Sequence, residues 1–95
     1  MITKLKISTT ADYRKDIKKL NKQNKDLSKI AVVVDKLANR EILEEKYRDH
    51  KLVGNEYPNC RECHIEPDWL LIYRIYNDEL ILLLVTTGSH SNLFK

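Results

Sequence analysis

The 95 residues are 42% hydrophobic and hold only two Gly and two Pro, which excludes a disordered or collagen-like chain and predicts one globular domain over residues 1–95. No run of about eighteen apolar residues exists and the amino terminus MITKLKISTT lacks the apolar stretch of a signal peptide, so no membrane association is expected and the cytoplasm is the predicted compartment. The formal charge of +3 is unevenly spread: residues 1–30 hold nine Lys or Arg against three Asp, 31–66 hold six against eight acids, and 67–95 hold two against three. A basic first third attracts phosphate backbones without reading their sequence, although a lysine-rich helix is also an ordinary solvated face.

In chain order, Ile2, Leu5 and Ile7 alternate with polar residues and predict a short first strand. Thr9-Thr10-Ala11-Asp12 has the character of a capping box. Tyr13, Ile17 and Leu20 follow at helical spacing, predicting a helix over about 11–23 with lysines on its other faces. Asp26 is placed to cap a second helix, in which Leu27, Ile30, Ala31, Val34, Leu37 and Ala38 form one apolar stripe. Residues 39–58 carry a weaker pattern and read as an exposed connection with a short strand at 51–53 and a turn at Gly54-Asn55. Leu70–Tyr76 and Glu79–Val85 are rich in branched and aromatic side chains around Asn77-Asp78, the signature of a hairpin. Asn59–Ile65 can pair with the first of these through Glu66-Pro67-Asp68-Trp69, because Pro sets a turn and cannot sit in a central strand. The order β-α-α-β-β-β predicts an α+β fold with two amino-terminal helices packed on one face of an antiparallel sheet.

Register then brings chemistry together. If Asn77 and Asp78 form the whole loop, hairpin partners have numbers summing to 155, so Trp69 faces Thr86, Asp68 faces Thr87, and His90 lies just beyond. His64 falls beside Asp68 at the same edge. The basic first third makes RNA one candidate substrate, and RNA is cut without metal when a base removes the proton of its 2′-OH, that oxygen attacks the adjacent phosphate, and an acid protonates the departing 5′-oxygen. An imidazole, with an ordinary pKa of about 6.5, suits either role. His64 and His90 are therefore the expected proton-transfer pair, with Asp68 orienting one ring or serving as the alternative base, and His50 assisting from the preceding loop. Trp69 and Phe94 are candidates to stack on unpaired bases, and Lys51 and Arg61 to hold phosphates. Each residue has a plainer reading: a surface histidine, a turn aspartate, a core tryptophan, a phenylalanine that tucks in the carboxy terminus.

The stretches Tyr13-Arg14-Lys15-Asp16, Lys25–Lys29 (KDLSK), Tyr47–His50 (YRDH), Leu52-Val53-Gly54, His64–Arg74 (HIEPDWLLIYR) and Thr87–Phe94 (TGSHSNLF) resemble the YafQ branch of the RelE/ParE toxin superfamily over nearly the whole chain. The resemblance implies the toxin of a type II toxin–antitoxin system with a RelE-like fold, a ribosome-dependent endoribonuclease acting on mRNA. It ties His50, His64, Asp68, Trp69, His90 and Phe94 to cleavage. It also implies a cognate antitoxin of the DinJ/RelB type, the 70S ribosome and mRNA as partners, and promoter DNA reached only through the antitoxin. The lysines of the first helix (Lys15, Lys18, Lys19 and Lys22) suit an acidic antitoxin segment or ribosomal RNA. Alternatives within the superfamily are a weakened nuclease that acts by binding antitoxin or ribosome, and a gyrase inhibitor of the ParE type. Two positions depart from the pattern: Glu62 where relatives have Asp, and Thr86 where many have Arg. The second predicts a weaker enzyme unless Arg61 substitutes, because a cationic donor on the phosphate contributes about 3–4 kcal/mol by analogy with oxyanion holes.

No cofactor is implied, since the chain has no phosphate loop or dinucleotide fingerprint. Cys60-Arg61-Glu62-Cys63-His64 matches the haem attachment signature, but no export signal accompanies it and a strand sends positions 60 and 63 to opposite faces. No second Cys/His pair completes a structural zinc site, so no metal is expected and the cysteines read as structural.

Overall fold

The computed structural model describes residues 4–94, so Ile2 of the predicted first strand lies outside the described residues. The elements are β1 (Lys6–Thr9), α1 (Ala11–Lys22), α2 (Leu27–Ala38), a 3-10 turn (Glu45–Tyr47), β2 (His50–Lys51), β3 (Arg61–Glu66), β4 (Trp69–Tyr76), β5 (Ile81–Gly88) and α3 (His90–Leu93). The strands form one sheet in the order β1-β5-β4-β3-β2. β2 to β5 are antiparallel, as expected, whereas β1 joins the edge parallel to β5, from Lys6↔Ile81 to Thr9↔Leu84.

Both helices start where the sequence places caps. The Thr10 hydroxyl oxygen accepts from the Tyr13 amide at 3.0 Å and its O–H donates to the Val85 carbonyl at 2.6 Å, tying the start of α1 to β5. The Asp26 carboxylate accepts from the Ser28 amide at 3.0 Å. Tyr13 and Leu20 of α1 and Ile30, Val33, Val34, Leu37 and Ala38 of α2 are buried against Cys63, Trp69, Leu71, Tyr73, Leu82 and Leu84. Alternation along β4 sends Leu70 and Ile72 to the other face, into a smaller cluster with Cys60 and Leu93 and the partly buried Tyr57 and Phe94. The two cysteines thus sit on opposite faces of the sheet, and burial pushes the Cys63 thiol up to about 12.

The hairpin departs from the expected register. Tyr76 pairs with Ile81, so Asn77 to Leu80 all belong to the loop, and Leu80 takes φ +57° where a two-residue turn would have kept it in the strand. A bulge opposite Ile72/Tyr73 adds one residue more. The outcome is Ile72↔Thr86 and Leu71↔Thr87, with neither threonine opposite Trp69 or Asp68. Among the described residues no helix is long and apolar enough to cross a membrane.

Candidate active site

His64, on β3, pairs with Leu70 and shares with it the sheet face that the long helices leave uncovered. A register shift between His64 and Glu66 ends this alternation, and Glu66 turns to Lys25 (3.0 Å) and Lys29 (2.7 Å). After Pro67 the turn residue Asp68 is exposed, and its Oδ1 accepts from the backbone amide of His90 at 3.0 Å and lies 2.7 Å from the His90 Nδ1. Those two donors, the amide first, hold the Asp68 carboxyl below the usual carboxylate range. A carboxylate partner makes Nδ1 the protonated nitrogen of His90 and leaves its Nε2 for other work. α3 is set by Ser89, whose hydroxyl accepts from the Asn92 amide.

His50 arrives from the opposite edge. Its Nδ1 donates to the Arg48 carbonyl at 2.7 Å, and its Nε2 lies 3.6 Å from Oε1 of Glu62, its cross-strand neighbour. The imidazoles form a row, with ring centres 6.4 Å apart from His50 to His64 and 5.7 Å apart from His64 to His90. Burial holds the His64 pKa below 6.5; the Glu62 carboxylate opposes this, and the neighbouring His90, Arg48 and His50 add to it. Its Nδ1 is buried, and no acceptor among the described residues stabilises a proton there. Burial disfavours a proton on the central ring, while the outer two have acceptors on Nδ1.

The comparisons with known proteins match this fold along nearly the whole chain. Residues 5–95 match the family described as a bacterial toxin of the type II toxin–antitoxin system, YafQ. The chain belongs to the YafQ toxin family. It is 36% identical over 89 residues to the mRNA interferase toxin YafQ of Escherichia coli K12, covering 93% of this chain and 94% of that one. The E. coli toxin solved in its DinJ–YafQ complex is 34% identical with a TM-score of 0.87, over 97% of this chain and 99% of that one. A metal-bound toxin from Helicobacter pylori is 46% identical with a TM-score of 0.89, over 95% and 99%.

Of the residues expected to serve a YafQ site, His50, His64, Asp68 and His90 are brought together, and others are not. Trp69 is 1% exposed, sealed in the core by α1 and α2, with its Nε1–H donated to the Thr87 hydroxyl at 2.9 Å; it has no free face for a base, and the stacking role fails. Arg61 pairs with Asp49, Nε to Oδ1 at 3.3 Å, with its side chain 42% exposed. Lys51 is exposed and pairs with Arg61, and alternation turns it away from the His50 side. Phe94 is half-buried and packs edge-on against Tyr57, ring centres 5.6 Å apart, which pins the end of α3. Thr86 is 8% exposed and its hydroxyl donates to the Asp16 carboxylate, so it does not border the histidines.

Two groups of residues were missed. Glu62, 5% exposed, offers a carboxylate oxygen that lies with one nitrogen each of His64 and His90 within 4.8 Å of one another. Strand alternation from His64 could have found it, since i and i−2 share a face. Asp49 accepts from the buried Tyr73 hydroxyl as well as from Arg61, and so holds the loop that carries His50. No local pattern announces that contact, which spans 24 residues.

Proposed function

We propose that this chain is the endoribonuclease toxin of a type II pair, an mRNA interferase that cuts mRNA on the ribosome in the cytoplasm by metal-independent acid–base catalysis. The observation that carries the reading is the His64–His90 pair, one ring on which burial disfavours a proton and the other held by Asp68. Neutral His64 removes the proton of the 2′-OH; that oxygen attacks the adjacent phosphorus as the bond to the 5′-oxygen breaks, and His90 delivers a proton to the departing oxygen. The products are a 2′,3′-cyclic phosphate and a 5′-OH. Asp68 fixes the His90 tautomer and offsets charge on its ring. His50 lines the third side with Glu62 behind it. The test is to map cut ends in a translating extract: cleavage that depends on translation and leaves cyclic phosphate supports the proposal, and intact mRNA beside arrested translation refutes it.

The partner supported by the solved DinJ–YafQ complex is an antitoxin of the DinJ type, which would bring promoter DNA with it. Purifying the chain with its genetic neighbour should give a tight complex without nuclease activity.

A second reading concerns metal, which the sequence did not lead us to expect. Glu62, His64 and His90 supply one oxygen and two nitrogens, a donor set suited to zinc or copper, and the relative from H. pylori is metal-bound. An ion there would occupy the nitrogens needed for proton transfer and so inhibit. Micromolar zinc or copper should suppress cleavage and a chelator restore it; stimulation by the ion would favour a catalytic metal instead.

A further inference from the structure

A groove of about 560 Å³ runs between α2 and the turn that precedes His50, and His64 forms part of its wall. Its floor includes Val32, which is 50% exposed although it lies mid-helix. Lys29, Lys46 and Arg48 bring positive charge to it, and Glu66, the one carboxylate of the lining, is engaged by Lys25 and Lys29. Tyr47 is half-buried beside it, with the Lys46 ammonium 5.1 Å and the Lys36 ammonium 5.8 Å from its ring centre.

We infer that this groove binds the single-stranded RNA that flanks the scissile phosphate, seating a nucleotide against Val32 and Tyr47 and its phosphate near Lys46 and Arg48. The inference rests on the nuclease reading and adds the path of the substrate. A phosphate reacting between His64 and His90 leaves the strand two ways out. On the His64 side the way out rounds the edge of β3, beyond the two residues that β2 pairs, into this groove, whose wall His64 shares. The expected base platform, Trp69, is sealed in the core, and Tyr47 is the aromatic residue that shares a lining with His64. Cations with an aromatic ring and an apolar floor make the usual surface for unpaired RNA, where charge tracks the backbone and apolar contact takes the base. The volume accommodates a nucleotide, whereas a duplex has no room.

Val32 allows a clean test, since an exposed helical position accepts either charge without disturbing the core. Val32→Glu and Val32→Lys would be compared with the unaltered protein, after matching melting curves, in two assays. The first is NMR titration with a trinucleotide 2′-O-methylated at every position, which binds and cannot be cut. The second is mRNA cleavage in a translating extract. The expected result is that Val32→Glu weakens trinucleotide binding about tenfold at low salt while Val32→Lys does not weaken it, with shifts at both Tyr47 and His64. In cleavage, Val32→Glu should raise the toxin concentration needed and leave the saturated rate within a factor of about two.

Equal binding by both variants overturns the inference, as do shifts confined to the histidines and an absence of binding in the unaltered protein. A Val32→Glu protein that binds and cuts normally but escapes its antitoxin overturns it too, because the groove then belongs to the partner. Failure of the unaltered protein to cut mRNA would instead sink the nuclease reading, while trinucleotide binding still decides the groove.

Discussion

The two faces of the sheet differ in what covers them. Over one face lie two twelve-residue helices, and of the residues that β4 sends there Trp69, Leu71 and Tyr73 are at most 1% exposed, with Ile75 partly buried at the far end. Over the other lie only the four residues of α3 and a loop; its buried cluster is small and its margin carries His50, Glu62, His64 and His90. Apolar burial favours the first face by roughly 25 cal/mol per Å² and makes it the seat of stability. The second is left half-open, and it carries the imidazoles to which the proposed proton transfer is assigned. Stability and chemistry are therefore separable by substitution.

The largest effect should come from the open face. Replacing His64 and His90 together by Ala removes both proton-transfer groups, each contributing about 10²–10⁴-fold, and should lower cleavage by at least about 10⁴-fold with little change in melting temperature. Cleavage that survives in the folded double variant would assign the chemistry to other groups. The next effect belongs to the covered face. Trp69→Ala should cost about 3–5 kcal/mol in urea unfolding, through the cavity and the lost hydrogen bond to the Thr87 hydroxyl, and any loss of cleavage should follow the loss of folded protein. A folded Trp69→Ala with impaired cleavage alone would return Trp69 to the substrate.

The same division explains how much the sequence revealed. Caps at Thr10 and Asp26, two helical stripes and the run of branched and aromatic residues from Leu70 are local signals, and each appears where it was expected. His64 and Asp68 meet at a tight turn and were legible for that reason. The register of β4 and β5 was not, because Leu80 accepts a left-handed backbone and the bulge before Thr86 leaves no mark in composition. Trp69 shows the limit of reading residue type alone: an aromatic beside the histidines invites a stacking role as readily as a core one, and the packing of the helices decides for the core. The Arg61 contact with Asp49 was not legible, since Asp49 comes from a loop with no regular pattern.

A smaller effect separates the faces by pH. His64 titrates below 6.5, chiefly because it is buried, while the unfolded chain takes up its proton near the ordinary value. Its contribution to stability is thus fully present above that value and is lost as pH falls from 6.5 toward the folded pKa. As the catalytic base it should also stay competent below 6.5, placing the acid limb of the rate profile there. Glu62 opposes the shift, so Glu62→Gln should move that limb to still lower pH. An acid limb unmoved by Glu62→Gln would mean that another group is the base.

The smallest expected effect reverses the expectation from sequence at Thr86. An arginine there was expected to accelerate cleavage by neutralising the phosphate, on the premise that Thr86 lies opposite Trp69. It lies opposite Ile72, and Asp16 of α1 accepts from its hydroxyl and from the Thr87 amide at 3.2 Å. In Thr86→Arg the new guanidinium meets the Asp16 carboxylate first, in an ion pair that is partly desolvated and geometrically favoured. The charge is spent within the fold, and the single-turnover rate should change by less than about threefold. Removing the competitor tests the reason: Thr86→Arg with Asp16→Asn should cut faster than Asp16→Asn alone if the freed guanidinium can reach the phosphate. A large acceleration by Thr86→Arg alone would show that position 86 already faces the substrate when RNA is bound, and that the Asp16 contact yields to it.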